Sequence, residues 1–328
     1  MIVILHQYVL CTEQYCFQRK YLYYTIEFEK GTIRYTAMKR IAIVLAAVHA
    51  VSSESVCDAV KGCEHGWSVS AKPTFEQLYR DLHGRDYDEN DNVILNFTNP
   101  YDVNPVFKDY KHSNLVPDLF MEVLMNYEPK RPRFIVEVGS LHGHSAFTMA
   151  GILDEMTYYD VPILCIDPWT GDTNMWLNTE KDETITWVKK KDGRMLSFDQ
   201  FMVNARFAME RWGMSPKHVI PFHATSTIGA RWLRAKGYKP DIIFLDSAHE
   251  QGETLMEIEM YYELLGDGGI IIGDDYDWAG VKHDVDLFVA RNHATPGINH
   301  VMFSRPNRGT KLFWTIRKPK TTNEDVDW

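Results

Sequence analysis

From Arg133 onward the sequence alternates short apolar runs with stretches of helical spacing, and few folds accommodate that rhythm. The runs "RFIVEVG" (133–139), "VPILCID" (161–167), "HVIPFHA" (218–224), "DIIFLD" (241–246) and "GGIIIGDD" (268–275) have strand length and little internal polarity. After them come "HSAFTMAGILDEM" (144–156), "FDQFMVNARFAMERWG" (198–213), "IGARWLRAKG" (228–237), "GETLMEIEMYYELLG" (252–266) and "GVKHDVDLFVARN" (280–292), whose apolar residues recur at helical intervals. A strand that is apolar along its whole length is covered on both faces. Five strand–helix units in a row therefore predict an α/β fold with a doubly wound parallel sheet. Two later runs, "INHVMFS" (298–304) and "TKLFWTI" (310–316), flank "RPNRG" and predict a hairpin at one edge of the sheet.

The sequence before this region has a different character. Residues 54–130 read as a helical N-terminal cap region, with helices at "KPTFEQLYRDLHG" (72–84) and "NLVPDLFMEVLMNYE" (114–128). Residues 1–53 read as an upstream extension followed by a signal-peptide-like segment. The first 37 show no clear period, and "MKRIAIVLAAVHAVSSES" then starts at Met38 with a basic pair, an apolar stretch and small residues. A start at Met38 would send the protein into the secretory pathway. The alternatives are a short buried helix or a targeting segment of another kind, and a protein that does not use the segment as a signal would be cytoplasmic. Cys57 and Cys63 follow the segment and could pair in an oxidising lumen, and Asn96-Phe97-Thr98 is a glycosylation sequon. Residues 319–328 form a polar tail. The polar insertion 168–197, with Trp169, Trp176 and Trp187, is either a lid or a surface excursion anchored by its tryptophans.

Charge narrows the partners. The net charge of -10 disfavours nucleic acid, because an acidic surface repels a phosphate backbone. No apolar run reaches the ~18 residues of a membrane span. The expected partner is a small-molecule or glycan acceptor, and a homo-oligomer is compatible with the composition.

The chemistry is concentrated where strands end. "VEVGSLHGHS" places Glu137 late in the first strand, then Gly139, Ser140, Gly143 and Ser145 at the entrance to a helix. Glycines there let the backbone bend close to a ligand, and the helix N-terminus offers free N–H groups. The spacing is not that of a dinucleotide fingerprint. Asp167 ends the second strand, where a carboxylate can accept ribose hydroxyls. Thr225 and Ser226 follow the third strand and could meet an adenine ring. In order, these features suit an adenosine ligand. Asp246 ends the fourth strand with His249 three residues on, and Asp274 and Asp275 end the fifth.

Together "VEVGSLHGHS", "CIDPWTGD", "DIIFLDSAHE", "LLGDGGIIIGDDYDW" and "GVKHDVDLF" make residues 133–316 resemble the class I S-adenosylmethionine-dependent methyltransferases. More narrowly, they resemble the family that includes macrocin O-methyltransferase and cephalosporin-hydroxylase-like proteins. The resemblance implies a Rossmann-like seven-stranded sheet of order 3-2-1-4-5-7-6 with strand 7 antiparallel, in a domain over residues 131–318. It implies S-adenosyl-L-methionine as cofactor, bound by Glu137, Gly139, Ser140, Gly143, Ser145, Asp167, Thr225, Ser226 and Asp246. It also implies Mg²⁺ at Asp246, Asp274 and Asp275, and His249 as general base toward an acceptor hydroxyl. Ala224-Thr225 departs from the Gly-Asp pair that many relatives carry after the third strand. Two rival readings are a metal-independent methyltransferase and a non-catalytic binding protein on the same scaffold.

Overall fold

The computed structural model describes residues 5–9, 19–29, 32–37, 72–106, 115, 117–127, 131–171, 175–176, 190–292, 300–304 and 312–320. The chain divides into two units, Met1–Trp67 and Ser68–Trp328. In the first, strands β1 (Leu5–Val9), β2 (Arg19–Glu29) and β3 (Thr32–Ala37) pair antiparallel in the order β1-β2-β3. The sequence pattern there predicted no regular element. The signal-peptide-like segment, Cys57 and Cys63 lie outside the described residues, as does most of the 168–197 insertion.

The second unit opens with α1 (Phe75–His83). Thr74 caps it by accepting from the Gln77 N–H, and Gly84 ends it at φ 68°. Helix α2 (Pro117–Asn126) follows. The sheet then begins with β4 (Ile135–Val138), α3 (His144–Glu155) and β5 (Ile163–Asp167). A two-residue ribbon, β6 (Lys190–Lys191) with β7 (Arg194–Met195), precedes α4 (Ser197–Phe207). Next come β8 (Val219–His223), α5 (Ser226–Lys236), β9 (Ile242–Leu245), α6 (Glu253–Leu264), β10 (Ile270–Gly273) and α7 (Ala279–Arg291). The hairpin β11 (His300–Ser304) and β12 (Leu312–Arg317) completes the sheet. The helix expected over 198–213 is α-helical only to Phe207. It widens to a π-helical turn at Ala208–Trp212 and ends at Gly213, φ 72°.

The seven strands lie in the order β8-β5-β4-β9-β10-β12-β11. Counted along the chain from β4 and leaving out the β6–β7 ribbon, that is 3-2-1-4-5-7-6. β12 runs antiparallel to both β10 and β11, and the other pairs are parallel. Pro221 lies in β8, which is an edge strand, where a residue without an N–H is tolerated.

Alternation along the strands sorts the core into two layers. Ile135, Ile163, Phe244 and Ile272 pack with Phe120 of α2, Phe147 of α3 and Phe201 of α4. Val136, Leu164, Ile243 and Ile271 pack on the other face with Leu78 of α1, Leu233 of α5, Ile258 of α6 and Val285 of α7. Each such side chain, fully buried, contributes about 1.5–3 kcal/mol.

At the N-terminal end of the sheet, Asp241 joins segments far apart in sequence. Its Oδ1 meets Lys72 Nζ at 2.5 Å and accepts from Tyr127 Oη at 2.6 Å. Its Oδ2 accepts from the N–H groups of Arg133 (2.7 Å) and Phe134 (3.2 Å). The carboxyl ends of the strands lie level at the opposite edge. Val138 pairs with Ile166 and Leu245, Leu245 with Gly273, and Asp167 with His223.

Candidate active site

Every candidate residue sits on that opposite edge because of where its strand stops. Glu137 is fully buried in β4, and Ser145 donates to its Oε1 at 2.5 Å. Its Oε2 has no partner in hydrogen-bonding geometry among the described residues. Burial pushes the Glu137 carboxyl up to about 7, against the lowering effect of the Ser140 and Ser145 hydroxyls. After β4 the chain turns through Gly139 at φ 90°. A Cβ there would stand 2.1 Å from the Asp246 carbonyl oxygen, so the loop after β4 and the end of β9 touch backbone to backbone.

Asp167 shapes the same loop. Its Oδ2 accepts from the Leu141 N–H at 2.8 Å, and its Oδ1 accepts from the Trp169 N–H. Burial raises its pKa while these N–H groups lower it. Each oxygen keeps a lone pair for a further donor. Leu141 is held at φ 40°, a conformation uncommon outside glycine. His142 is buried, which lowers its pKa to about 3, so its ring is neutral. Its carbonyl accepts from Asn204 Nδ2 at 3.0 Å.

Thr225 is the N-cap of α5 and accepts from the Ile228 N–H at 3.3 Å; the Ser226 carbonyl accepts from Tyr261 Oη at 2.9 Å. The Thr225 side chain is therefore engaged in starting a helix. The cap also explains why α5 begins two residues before the helix read from the sequence.

The loops after β9 and β10 bring the acidic residues together. One ligand atom from each of Asp246, His249 and Asp275 falls within a 4.8 Å group. His249 Nε2 lies 2.8 Å from Asp275 Oδ2. An ionised carboxylate can only accept, so Nε2 carries a proton; in the neutral ring the lone pair then falls on Nδ1. Asp275 reaches this pose at φ 56°, which Asp tolerates better than most residues. Asp274, expected in the same ligand set, uses its Oδ1 to accept from the Asp275 N–H at 2.8 Å. It still lines the pocket that holds the other three.

Several residues in or beside this pocket escaped the sequence reading. Glu257 of α6 is buried and accepts from Ser247 Oγ at 2.6 Å. Trp278 places its ring 4.7 Å from that of His249 while remaining 44% exposed. Trp314 of β12 donates from Nε1 to the Asp274 carbonyl at 3.1 Å. Gly273 makes room for it, since a Cβ there would lie 1.9 Å from the indole. The run "GDDYDW" hinted at Trp278 by adjacency alone, and nothing local pointed to Glu257 or Trp314.

Residues 136–276 match a family model described as a methyltransferase domain, a span that runs from β4 to the loop after β10. That segment is similar to methyltransferase domains, over a span shorter than half of the chain. Solved structures similar to this chain include a cofactor-bound protein from MTB, 13% identical at TM-score 0.41, covering 63% of this chain and 82% of that one. An O-methyltransferase from Bacillus cereus in complex with SAH is 16% identical at TM-score 0.40, covering 74% of this chain and 96% of that one. A calicheamicin methyltransferase is 17% identical at TM-score 0.40, covering 61% and 76%. No curated protein sequence matches this one.

The loop after β4 has the chemistry to fit S-adenosylmethionine. Glu137 Oε2 is a buried acceptor still able to take a donor, and an ammonium group supplies one. Asp167 offers lone pairs to hydroxyls, and the N-terminus of α3 is preceded by Gly143 at φ 86°. No helix among the described residues is long and apolar enough to cross a membrane.

Proposed function

We propose that the enzyme methylates a hydroxyl oxygen of a sugar, a phenol or another small natural product. The observation that carries this reading is the 2.8 Å contact between His249 Nε2 and Asp275 Oδ2, with His249 on the loop whose start, at Asp246 and Ser247, adjoins Gly139. S-Adenosylmethionine, when bound, supplies an electrophilic methyl group. The residues of this chain do the rest. Glu137 and Asp167 hold the cofactor's polar ends. Asp275 fixes the His249 tautomer and stabilises the imidazolium, so that Nδ1 can take the acceptor's hydroxyl proton as the oxygen attacks. A closed, oriented arrangement of acceptor and methyl donor supplies much of the remaining rate.

A second reading adds a divalent cation. Asp246 and Asp275 would hold Mg²⁺ with His249 beside it, because their ligand atoms already lie within 4.8 Å of one another. The ion would lower the pKa of an acceptor hydroxyl. Titrating S-adenosylhomocysteine into wild type and Asp167→Ala tests the cofactor role. Methyl transfer to catechols and vicinal sugar diols, with Mg²⁺ and with EDTA, tests the acceptor class and the metal. Saturable binding lost in Asp167→Ala is expected. Transfer to nitrogen or carbon acceptors but to no hydroxyl would overturn O-methylation, and full activity in EDTA would overturn the metal.

The compartment follows from Met38. We place the enzyme in the secretory pathway on that segment, and the exposed Asn96 then becomes a glycan site. N-terminal sequencing after expression in animal cells, with a glycosidase mobility shift, checks this. A chain starting upstream of Met38 and carrying no glycan would return it to the cytoplasm.

A further inference from the structure

The motif "GVKHDVDLF" has no part in the chemistry described so far, yet one of its residues is fully buried and bonded to the backbone of a different helix. α6 starts after Gly252, at φ 94°, with no side chain of its own to cap it. The first N–H groups of any helix need acceptors. Here Asp284 of α7 provides them: its Oδ2 accepts from Gly252 N–H at 2.6 Å and Leu255 N–H at 3.1 Å. Its Oδ1 lies 2.9 Å from His283 Nδ1. A cap of this kind is normally supplied from within the same helix.

The segment just before that cap is the loop that carries His249. Thr254 Oγ1, in the first turn of α6, donates to the Ala248 carbonyl at 2.9 Å. Ser247 Oγ donates to Glu257 Oε2 at 2.6 Å. From the α7 side, Gly280 lies against the same loop, since a Cβ there would be 2.5 Å from the His249 carbonyl oxygen. A displacement of the first turn of α6 is therefore passed on to His249.

We infer that Asp284 is a positioning residue for methyl transfer, holding α6 and with it the loop of Asp246 and His249 at the cofactor's edge. The inference rests on the reading of His249 as the base. Replacing Asp284 with Ala removes both acceptors, whereas Asn keeps an oxygen that can serve both N–H groups. Two measurements test this on the full chain. The first is hydrogen exchange over residues 247–255, which needs no acceptor: faster exchange is expected in Asp284→Ala but not in Asp284→Asn. The second is turnover with tritiated S-adenosylmethionine and 3,4-dihydroxybenzoate as probe. Asp284→Ala should lose on the order of tenfold to a hundredfold in kcat, the scale of a small misplacement. Its affinity for S-adenosylhomocysteine should be unchanged, and Asp284→Asn should retain most of the rate.

Wild-type exchange in Asp284→Ala, or an Asp284→Asn as impaired as the alanine variant, would overturn the inference. So would a loss of cofactor affinity in step with kcat. If Asp284→Ala does not fold, Thr254→Val and Gly280→Ala disturb the same loop from either side and should show the same split. Failure of the base reading looks different: His249→Ala would turn over normally while the exchange contrast at Asp284 persisted.

Discussion

Strand β9 is bracketed by two aspartates, and the fold treats them in opposite ways. Asp241, before the strand, is surrounded by donors: a lysine, a tyrosine and two backbone N–H groups. Asp246, after the strand, is gathered with Asp275 and His249. One carboxylate faces a cation and holds the N-terminal helical segment to the sheet. The other shares its edge with a second carboxylate and an imidazole, groups that can hold a ligand or move a proton. Side-chain type is the same at both ends. The difference is what the neighbouring segments bring to each, and it separates a structural edge from a chemical one.

The strongest way to sharpen this contrast is to remove the base. His249→Ala is expected to lower methyl transfer by roughly 10²–10⁴-fold. Its urea midpoint should match wild type, because the side chain is partly exposed. Asp241→Ala should do the reverse. Taking one partner from a buried pair costs about 3–5 kcal/mol, readable as a lower urea midpoint, and cofactor affinity per folded molecule should be kept. A catalytic defect without a stability defect in Asp241→Ala would break the comparison.

Glu137 gives a smaller effect with a definite sign. Its folded-state pKa of about 7 lies above the ordinary carboxyl value of 4.5, so the folded protein holds a proton that the unfolded chain releases. Stability from this group is fully present below pH 4.5 and is lost as pH rises through 7, by no more than about 3 kcal/mol. Glu137→Gln should flatten the pH dependence of the urea midpoint across that window, and an unchanged slope would contradict the buried, protonated state. Smallest of all, Thr225→Ala should cost about 1 kcal/mol as a lost N-cap, with cofactor affinity unchanged. A large drop in affinity instead would return Thr225 to the cofactor site.

Much of this was legible before the structure. Period and length identified the strands of the sheet and their helices, and strand ends pointed to Glu137, Asp167, Asp246, His249 and Asp275. The cap role of Thr225 was legible too, since a threonine at the start of a helical run is a cap signal. Other features were out of reach in principle. Asp241 meets Tyr127 at a sequence separation of 114, and Asp284 caps a helix 29 to 32 residues upstream. Those contacts exist only once layers have packed, and no local pattern encodes them. Asp274 shows the same limit at short range: that its Oδ1 accepts from the Asp275 N–H was not to be read from the pair of letters.

The indole of Trp314 has a consequence in time as well as in space. Polypeptides leave the ribosome N-terminus first, and domains fold as their segments emerge. β4, β5, β9 and β10 can all be outside the exit tunnel while the strand that seals the back of the Asp274 turn is still being synthesised. Until β12 slots in beside β10, Gly273 faces an unfilled gap and the Asp274 carbonyl lacks the indole N–H. The acidic edge is thus finished last, and a nascent chain paused before Trp314 would carry a sheet whose pocket lacks the indole that lines it.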